Sequence, residues 1–219
     1  MKFYLQTLNP DEFSQINQAV TLSGIITEPC DFSRGELDVR ECLENLLEMM
    51  SEDQHVFVYG LSTGFRTMLE EGKRLQQVSK QIVLTLPANE QGLMAMKAAK
   101  RMNLPVAAGC VFQSEQALMA MQNHAGTVFL DMEKIGRFSN PENVLQEVNL
   151  RLASYKETEV IVIAKTLDQL RLALECGSNS ICSTPEVYGQ MLFNVLTTSE
   201  MAQAREEWLM AYTRNEVLE

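Results

Sequence analysis

Residues 82–112 read IVLTLPANEQGLMAMKAAKRMNLPVAAGCVF. The two ends of this stretch, 82–87 and 106–112, are nearly unbroken apolar runs of strand length rather than strict alternations. Strands covered on both faces read that way. Between them, Asn89-Glu90-Gln91 is a helix start, with a cap residue followed by an acid on the positive end of the dipole. Leu93, Met94, Met96, Ala98 and Met102 then recur at helical spacing. That stripe predicts a helix lying on a sheet. The stretch is one strand-then-helix unit followed by the next strand.

The same unit recurs in both directions. Strand-length runs are expected at 2–6, 24–27, 55–61, 82–87, 106–112, 127–132, 160–165 and 179–183, which makes eight. Asn9-Pro10-Asp11-Glu12, Ser114-Glu115-Gln116, Asn140-Pro141-Glu142 and Thr166-Leu167-Asp168 open intervening helices with caps, first-turn prolines and acids. His124-Ala125-Gly126 reads as a helix end with its glycine cap. Eight such units with short connections predict an α/β protein, a (β/α)8 TIM barrel. A doubly wound sheet, which usually uses fewer strands, is the alternative. Neither a linker nor a composition break divides the chain. One domain over 1–219 is expected, with 197–219 as a C-terminal helical extension. Its helix, roughly 199–214, holds the only tryptophan, Trp208. Met201, Ala204, Trp208, Leu209 and Tyr212 give that helix an apolar face.

Composition excludes several classes. With 18 basic and 29 acidic side chains among 219 residues, the net charge is −11. Such a surface repels phosphate backbones and anionic lipid, so neither nucleic acid nor a membrane is an expected partner. No apolar run is long enough to span a bilayer. The start, MKFYLQTLNPDEF, lacks a secretory h-region. Five cysteines, Cys30, Cys42, Cys110, Cys176 and Cys182, form an odd set without CxxC spacing. Reduced thiols and a cytoplasmic setting are expected. Cys110 and Cys182 read as buried small hydrophobes, and the 13 methionines as core packing.

In a barrel, function sits at the carboxyl ends of the strands. Reading those ends gives Gln6, Thr27, Glu28, Tyr59, Thr85, Cys110, Asp131, Lys134, Lys165 and Ser183. Several interrupt otherwise apolar strands, and burying such a group unbonded costs on the order of 1–3 kcal/mol. A ring of them is a candidate binding site. Each alone reads equally well as a hydrogen bond tying the barrel together.

At these residues the chain resembles the short form of the transaldolase and fructose-6-phosphate aldolase family. Phe3-Tyr4-Leu5-Gln6-Thr7 stands where the family has F-x-L-D-T, and Gly24-Ile25-Ile26-Thr27-Glu28-Pro29-Cys30 where it has G-V-T-T-N-P-S/T. Ile82-Val83-Leu84-Thr85-Leu86-Pro87, leading into Glu90-Gln91-Gly92-Leu93, is similar to its I-V-V-K-V/I-P-x-T-x-E-G-L. Val162-Ile163-Ala164-Lys165-Thr166-Leu167 resembles its strand-seven exit, Ala173 to Thr184 its last repeat, and Glu206-Glu207-Trp208 its closing helix. The resemblance implies a barrel enzyme of sugar-phosphate metabolism. In such an enzyme a lysine on strand four forms a Schiff base with a ketose, with no cofactor or resident metal. It also implies a homo-oligomer, a pentamer or decamer, in which the last helix packs across a neighbour.

The departures fall on the working positions. The resemblance places the Schiff-base lysine at Thr85, the strand-one aspartate at Gln6, and the asparagine of T-N-P at Glu28. A polar amide or acid is replaced by Tyr59. The tyrosine before the phosphate-binding arginine falls at Asp131, that arginine at Lys134 or, with a shifted loop, Arg137, and the phosphate serine at Ile163. Of the family set, Lys165 and one of Lys134 or Arg137 keep the required charge. Among the eight lysines, only Lys134 and Lys165 are expected at the barrel mouth.

Three readings follow. The chain is a silent relative that binds a sugar phosphate, with Thr27, Tyr59, Asp131, Lys134 and Lys165 as binding residues around Gln6, Glu28 and Thr85. Alternatively it is an active aldolase working through Lys165, which would have to be partly neutral. In the third reading, Glu28 and Asp131 carry different chemistry as acid and base or as metal ligands.

Overall fold

The computed structural model describes residues 1–212 together with Arg214, Glu216 and Val217. In chain order the elements are β1 (Lys2–Leu5), α1 (Pro10–Ala19), β2 (Leu22–Ile26), α2 (Pro29–Arg34), α3 (Val39–Glu48), β3 (His55–Tyr59) and α4 (Phe65–Val78). Next come β4 (Ile82–Pro87), α5 (Glu90–Arg101), β5 (Val106–Gly109), α6 (Ser114–Gln122), β6 (Thr127–Asp131), α7 (Met132–Ile135) and α8 (Pro141–Leu152). The chain ends with β7 (Glu159–Ile163), α9 (Leu167–Glu175), β8 (Ser180–Ser183), α10 (Pro185–Leu192) and α11 (Val195–Tyr212). The eight strands pair in sequence order, all parallel, and β8 closes on β1. This is the (β/α)8 TIM barrel with a C-terminal helix; the doubly wound alternative is ruled out.

Strand β4 shows why the runs are continuous. Leu84 and Leu86 point outward into the cluster shared with the helices, while Val83 points inward beside Phe57 and Phe129. Both compartments are dry, so both sets of side chains are apolar. The lumen is filled by an aromatic column. Tyr4 meets Phe57 edge-on at 5.9 Å, Phe57 meets Phe129 at 5.1 Å, and Tyr59 lies 6.4 Å from Phe129. Edge-to-face pairs of this kind add about 0.5–1.5 kcal/mol each to their burial.

Six strands end earlier than expected, and after β3, β5 and β7 one reason recurs. Side chains of the following helix capture the backbone N–H groups that would have extended the ladder. Leu61 and Ser62 donate to Glu71, Phe112 donates to Gln116 at 2.8 Å, and Lys165 donates to Gln169 at 2.7 Å. Strand β5 stops at Gly109 because Cys110 turns into the left-handed region at φ 52°.

Other expectations need correction. In α5 the buried residues are Gly92, Ala95, Met96 and Ala99, whereas Met94 and Met102 are exposed. The inner stripe is thus offset toward small residues, which bring the helix close to the sheet. Methionine is not mainly core here: eight of them, among them Met49, Met119 and Met210, are exposed. Cys110 is exposed rather than buried, while Cys182 is buried in the lumen. The left-handed residue after α6 is His124 at φ 66°, not Gly126. The last helix starts earlier than expected, and Arg214 lies outside it. None of its residues is buried, so it does not lie back on its own barrel. Of the expected extension 197–219, residues 213, 215, 218 and 219 lie outside the described residues.

Close approach of strands β2 and β3 depends on Gly24, where an added Cβ would sit 2.1 Å from the carbonyl oxygen of His55. Neither atom can move without breaking the ladder, in which Gly24 pairs with His55. Gly24→Ala is expected to destabilise the barrel by about 3 kcal/mol, while Ser23→Ala changes it by no more than about 0.5 kcal/mol, measured by urea unfolding.

Candidate functional site at the barrel mouth

The carboxyl ends of the strands gather most of the expected residues in one place. Inward-pointing positions alternate along each strand, so Tyr59 and Thr85 are register partners on β3 and β4. Thr85 and Ser183 are completely buried, and Asp131 nearly so. Three polar atoms there, Gln6 Oε1, Thr85 Oγ1 and Ser183 Oγ, are buried without a hydrogen-bond partner among the described residues, while Asp131 Oδ2 meets only lysine ammonium groups. Orphaned buried polar atoms are rare in folded chains, and each costs on the order of 1–3 kcal/mol. Their concentration at one end of one barrel marks this as the candidate site.

Charge is arranged just above them. Lys134 Nζ lies 2.7 Å from Glu28 Oε1 and 3.4 Å from Asp131 Oδ2. Lys165 Nζ lies 3.8 Å from Asp131 Oδ2 and 3.3 Å from Glu133 Oε2. Two ammonium groups thus face three carboxylates. Burial alone would push the Lys134 ammonium down, but its bond to Glu28 and the charges of Glu28 and Asp131 outweigh this and hold it above its ordinary value. Glu133 is held below the usual carboxylate range by Arg137 first and Lys165 second. Glu28 and Asp131 do converge, but on the ammonium of Lys134, where a metal ion would have to displace a cation.

The local structure explains the placement. Asp131 ends β6 and caps α7, its Oδ1 accepting from Lys134 N–H at 3.0 Å. That single turn throws Lys134 back across the mouth toward Glu28. Arg137 is carried past the mouth and pairs with Glu133 at the rim, 62% exposed. Thr27 is committed elsewhere: its hydroxyl donates to the Phe57 carbonyl at 3.0 Å and ties β2 to β3. It is a structural tie rather than a free group of the site.

Tyr59 lies across Gly109. An added Cβ at Gly109 would come 2.5 Å from the Tyr59 ring and 2.8 Å from the Thr85 methyl. Burial, then Cys110, Glu28 and Asp131, push the Tyr59 hydroxyl far above its ordinary value, so it stays neutral. Between Tyr59, Phe129, Asp131 and Lys134 a cavity of about 20 Å³ remains. That is room for a water molecule and little more. Gly109 stands at a strand end, as the sequence indicates, whereas the contribution of Phe129 depends on register, which a linear reading does not supply.

The geometry can be set beside known proteins. Residues 36–170 match the family described as Transaldolase/Fructose-6-phosphate aldolase. The chain belongs to that family. It is 27% identical over 214 residues to a "Probable transaldolase" of Nitrosopumilus maritimus, covering 95% of both chains. It is 26% identical to one from Brevibacillus brevis, covering 95% of this chain and 98% of that one. A Clostridium tetani relative of the same description is 25% identical, again covering 95% of this chain and 98% of that one. Among solved structures, a double variant of flavocytochrome b2 with sulfite bound superposes with a TM-score of 0.58 at 15% identity. The match covers 92% of this chain but 61% of that one, and shows the barrel fold alone.

Removing Lys134 leaves Glu28 and Asp131 facing each other in a nearly closed mouth. Lys134→Met is expected to destabilise the barrel by about 2–3 kcal/mol, and Glu28→Gln in the same chain to restore at least half of that, by urea unfolding. Because the folded-state value of Lys134 is raised, its contribution is fully present at neutral pH and is lost as the pH rises through that value, above 10.5. The wild-type advantage over Lys134→Met is therefore expected to shrink only in strongly alkaline solution.

Proposed function

We propose that this family member has lost imine chemistry and retains a small-molecule site, a sugar-phosphate site, at the mouth of its barrel. One observation carries the reading. At the strand-four position where the resemblance places a lysine, the chain has Thr85, whose hydroxyl is fully buried and unbonded. A threonine hydroxyl cannot condense with a ketone to give an imine. The lysines at the mouth are placed against that role as well. An imine-forming amine must be partly neutral, which requires desolvation or a neighbouring cation. Lys134 and Lys165 instead each face carboxylates, and at Lys134 that pairing holds the ammonium above its ordinary value.

Binding draws on the same groups. Gln6, Thr85 and Ser183 have unpartnered polar atoms suited to the hydroxyls of a sugar. Lys134 and Lys165 supply the charge for a phosphate. The small cavity means that the phosphate must displace a carboxylate, with Lys134 moving off Glu28. The exposed helix α11 supports a homo-oligomer in which it packs on a neighbouring copy, a pentamer or decamer as in the family. Five unpaired cysteines, and no helix among the described residues long and apolar enough to cross a membrane, support a cytoplasmic setting.

Incubation with fructose 6-phosphate or dihydroxyacetone and borohydride, followed by intact mass measurement, is expected to give no adduct. An adduct mapping to Lys165 would overturn the loss of chemistry and restore the active reading. The double variant Thr85→Lys with Gln6→Asp is expected to gain the adduct. For binding, Glu28→Gln frees Lys134 and is expected to tighten fructose 6-phosphate about tenfold by calorimetry, near 1.4 kcal/mol. Unchanged or weaker binding in that variant removes Lys134 as the phosphate anchor.

A further inference from the structure

The two lysines of the mouth differ in reach. Lys165 pairs with Asp131 and Glu133, at the exit of the neighbouring strand β6. Lys134 leaves α7, directly after β6, and meets Glu28, which stands just beyond β2. In a closed ring of eight strands taken in sequence order, β2 and β6 lie four strands apart in either direction. The Lys134–Glu28 pair therefore spans the diameter of the barrel.

Both ends of the span are held. The Lys134 backbone N–H donates to Asp131 Oδ1 at 3.0 Å, and its ammonium lies 3.4 Å from Asp131 Oδ2. Glu28 Oε1 accepts from that ammonium at 2.7 Å, while Oε2 faces the Cys30 thiol at 3.6 Å. Pro29, at the first turn of α2, fixes the backbone that carries Glu28. Only 34% of the Lys134 side chain and 10% of the Glu28 side chain are exposed. A pair so withdrawn from water does not trade its contact for hydration as a surface pair does. Thr85 and Cys182 are wholly buried in the lumen, and the cavity beside Lys134 measures about 20 Å³. Burial first, then Asp131 and Glu28, push the Cys182 thiol well above its ordinary value, which places it within range of the same charges. The resemblance puts an asparagine at Glu28, which could not carry this charge, so the span is a departure of this chain.

We propose that the Lys134–Glu28 pair is an autoinhibitory bar that keeps the lumen shut, with Glu28 occupying as an internal anion the place on Lys134 that a ligand's phosphate would take. The bar opens by movement of its two side chains and the single turn α7, while the barrel stays folded. A neutral molecule offers Lys134 nothing in exchange for Glu28 and stays outside. Phosphate as the opening group rests on the function proposed above, whereas the closed state is a property of the chain alone.

The closed state can be read without ligand, through the native thiols. Cys42 on α3 and Cys176 at the end of α9 are half-buried on the outer layer and serve as references. Reaction of the full chain with methyl methanethiosulfonate, followed by peptide mass measurement, is expected to label Cys182 at least about tenfold more slowly than either reference. Lys134→Ala and Glu28→Gln are each expected to speed Cys182 by about tenfold relative to the references. Removing an ammonium and removing a carboxylate change the local charge in opposite senses, so a shared acceleration reports opening rather than thiol ionisation. The unaltered chain, in urea adjusted to the stability of each variant, should keep the slow rate, because local opening does not track global unfolding. An unchanged Cys182 rate in either variant, or equal acceleration in matched urea, would overturn the bar. Calorimetry with fructose 6-phosphate separates the two readings. Acceleration without sugar-phosphate binding leaves the bar standing and removes the ligand, whereas binding with an unchanged thiol rate removes the bar alone.

Discussion

The closed barrel sends successive side chains of every strand into two different dry compartments, and this alternation is what the rest of the molecule depends on. On β4 it puts Leu84 and Leu86 among the helices and Val83 and Thr85 in the lumen. A shift of one residue would exchange the two sets and place a hydroxyl under α5. Because β8 closes on β1, no edge is left free to slip, and the register of one strand constrains all eight. Thr85 is buried at the centre of the mouth for this reason alone.

The lumen is occupied from the floor upward by aromatic rings, ending in Tyr59 laid across Gly109. Above that column the polar residues have two fates. Some are absorbed as internal ties, as Thr27 is by the Phe57 carbonyl. Others, notably Gln6, Thr85 and Ser183, keep a polar atom with no partner among the described residues. The lysines are balanced by Glu28, Asp131 and Glu133, so the mouth is electrostatically satisfied while its floor is not. That combination suits a ligand that brings hydroxyls to the floor and exchanges one anion for another at the rim.

Much of this was legible in the chain. Eight apolar runs, first-turn prolines at Pro10 and Pro141, and caps at Asn9, Asn89 and Asn140 locate strands and helix starts from local chemistry. Each cap side chain accepts the backbone N–H expected of it, since a cap acts within three residues and needs no tertiary partner. Strand ends were less legible, because Glu71, Gln116 and Gln169 reach back from the next helix to intercept the ladder. The inner stripe of α5 was misread because close helix–sheet packing selects Gly92, Ala95 and Ala99, whereas hydrophobicity alone points to Met94 and Met102.

The candidate site divides along the same line. Its membership follows from strand ends, which are local: Gln6, Glu28, Tyr59, Thr85, Asp131, Lys134 and Lys165 are all legible in the sequence. The absence of lysine at position 85 is likewise a property of the chain alone. Only the tertiary structure decided that Lys134 reaches 106 residues back to Glu28, that Arg137 misses the mouth, and that Thr27 is already spent on a carbonyl. The reason is physical. Residue type and local spacing set what a side chain can do, whereas partners, burial and free volume are set by distant segments that only barrel closure brings within reach.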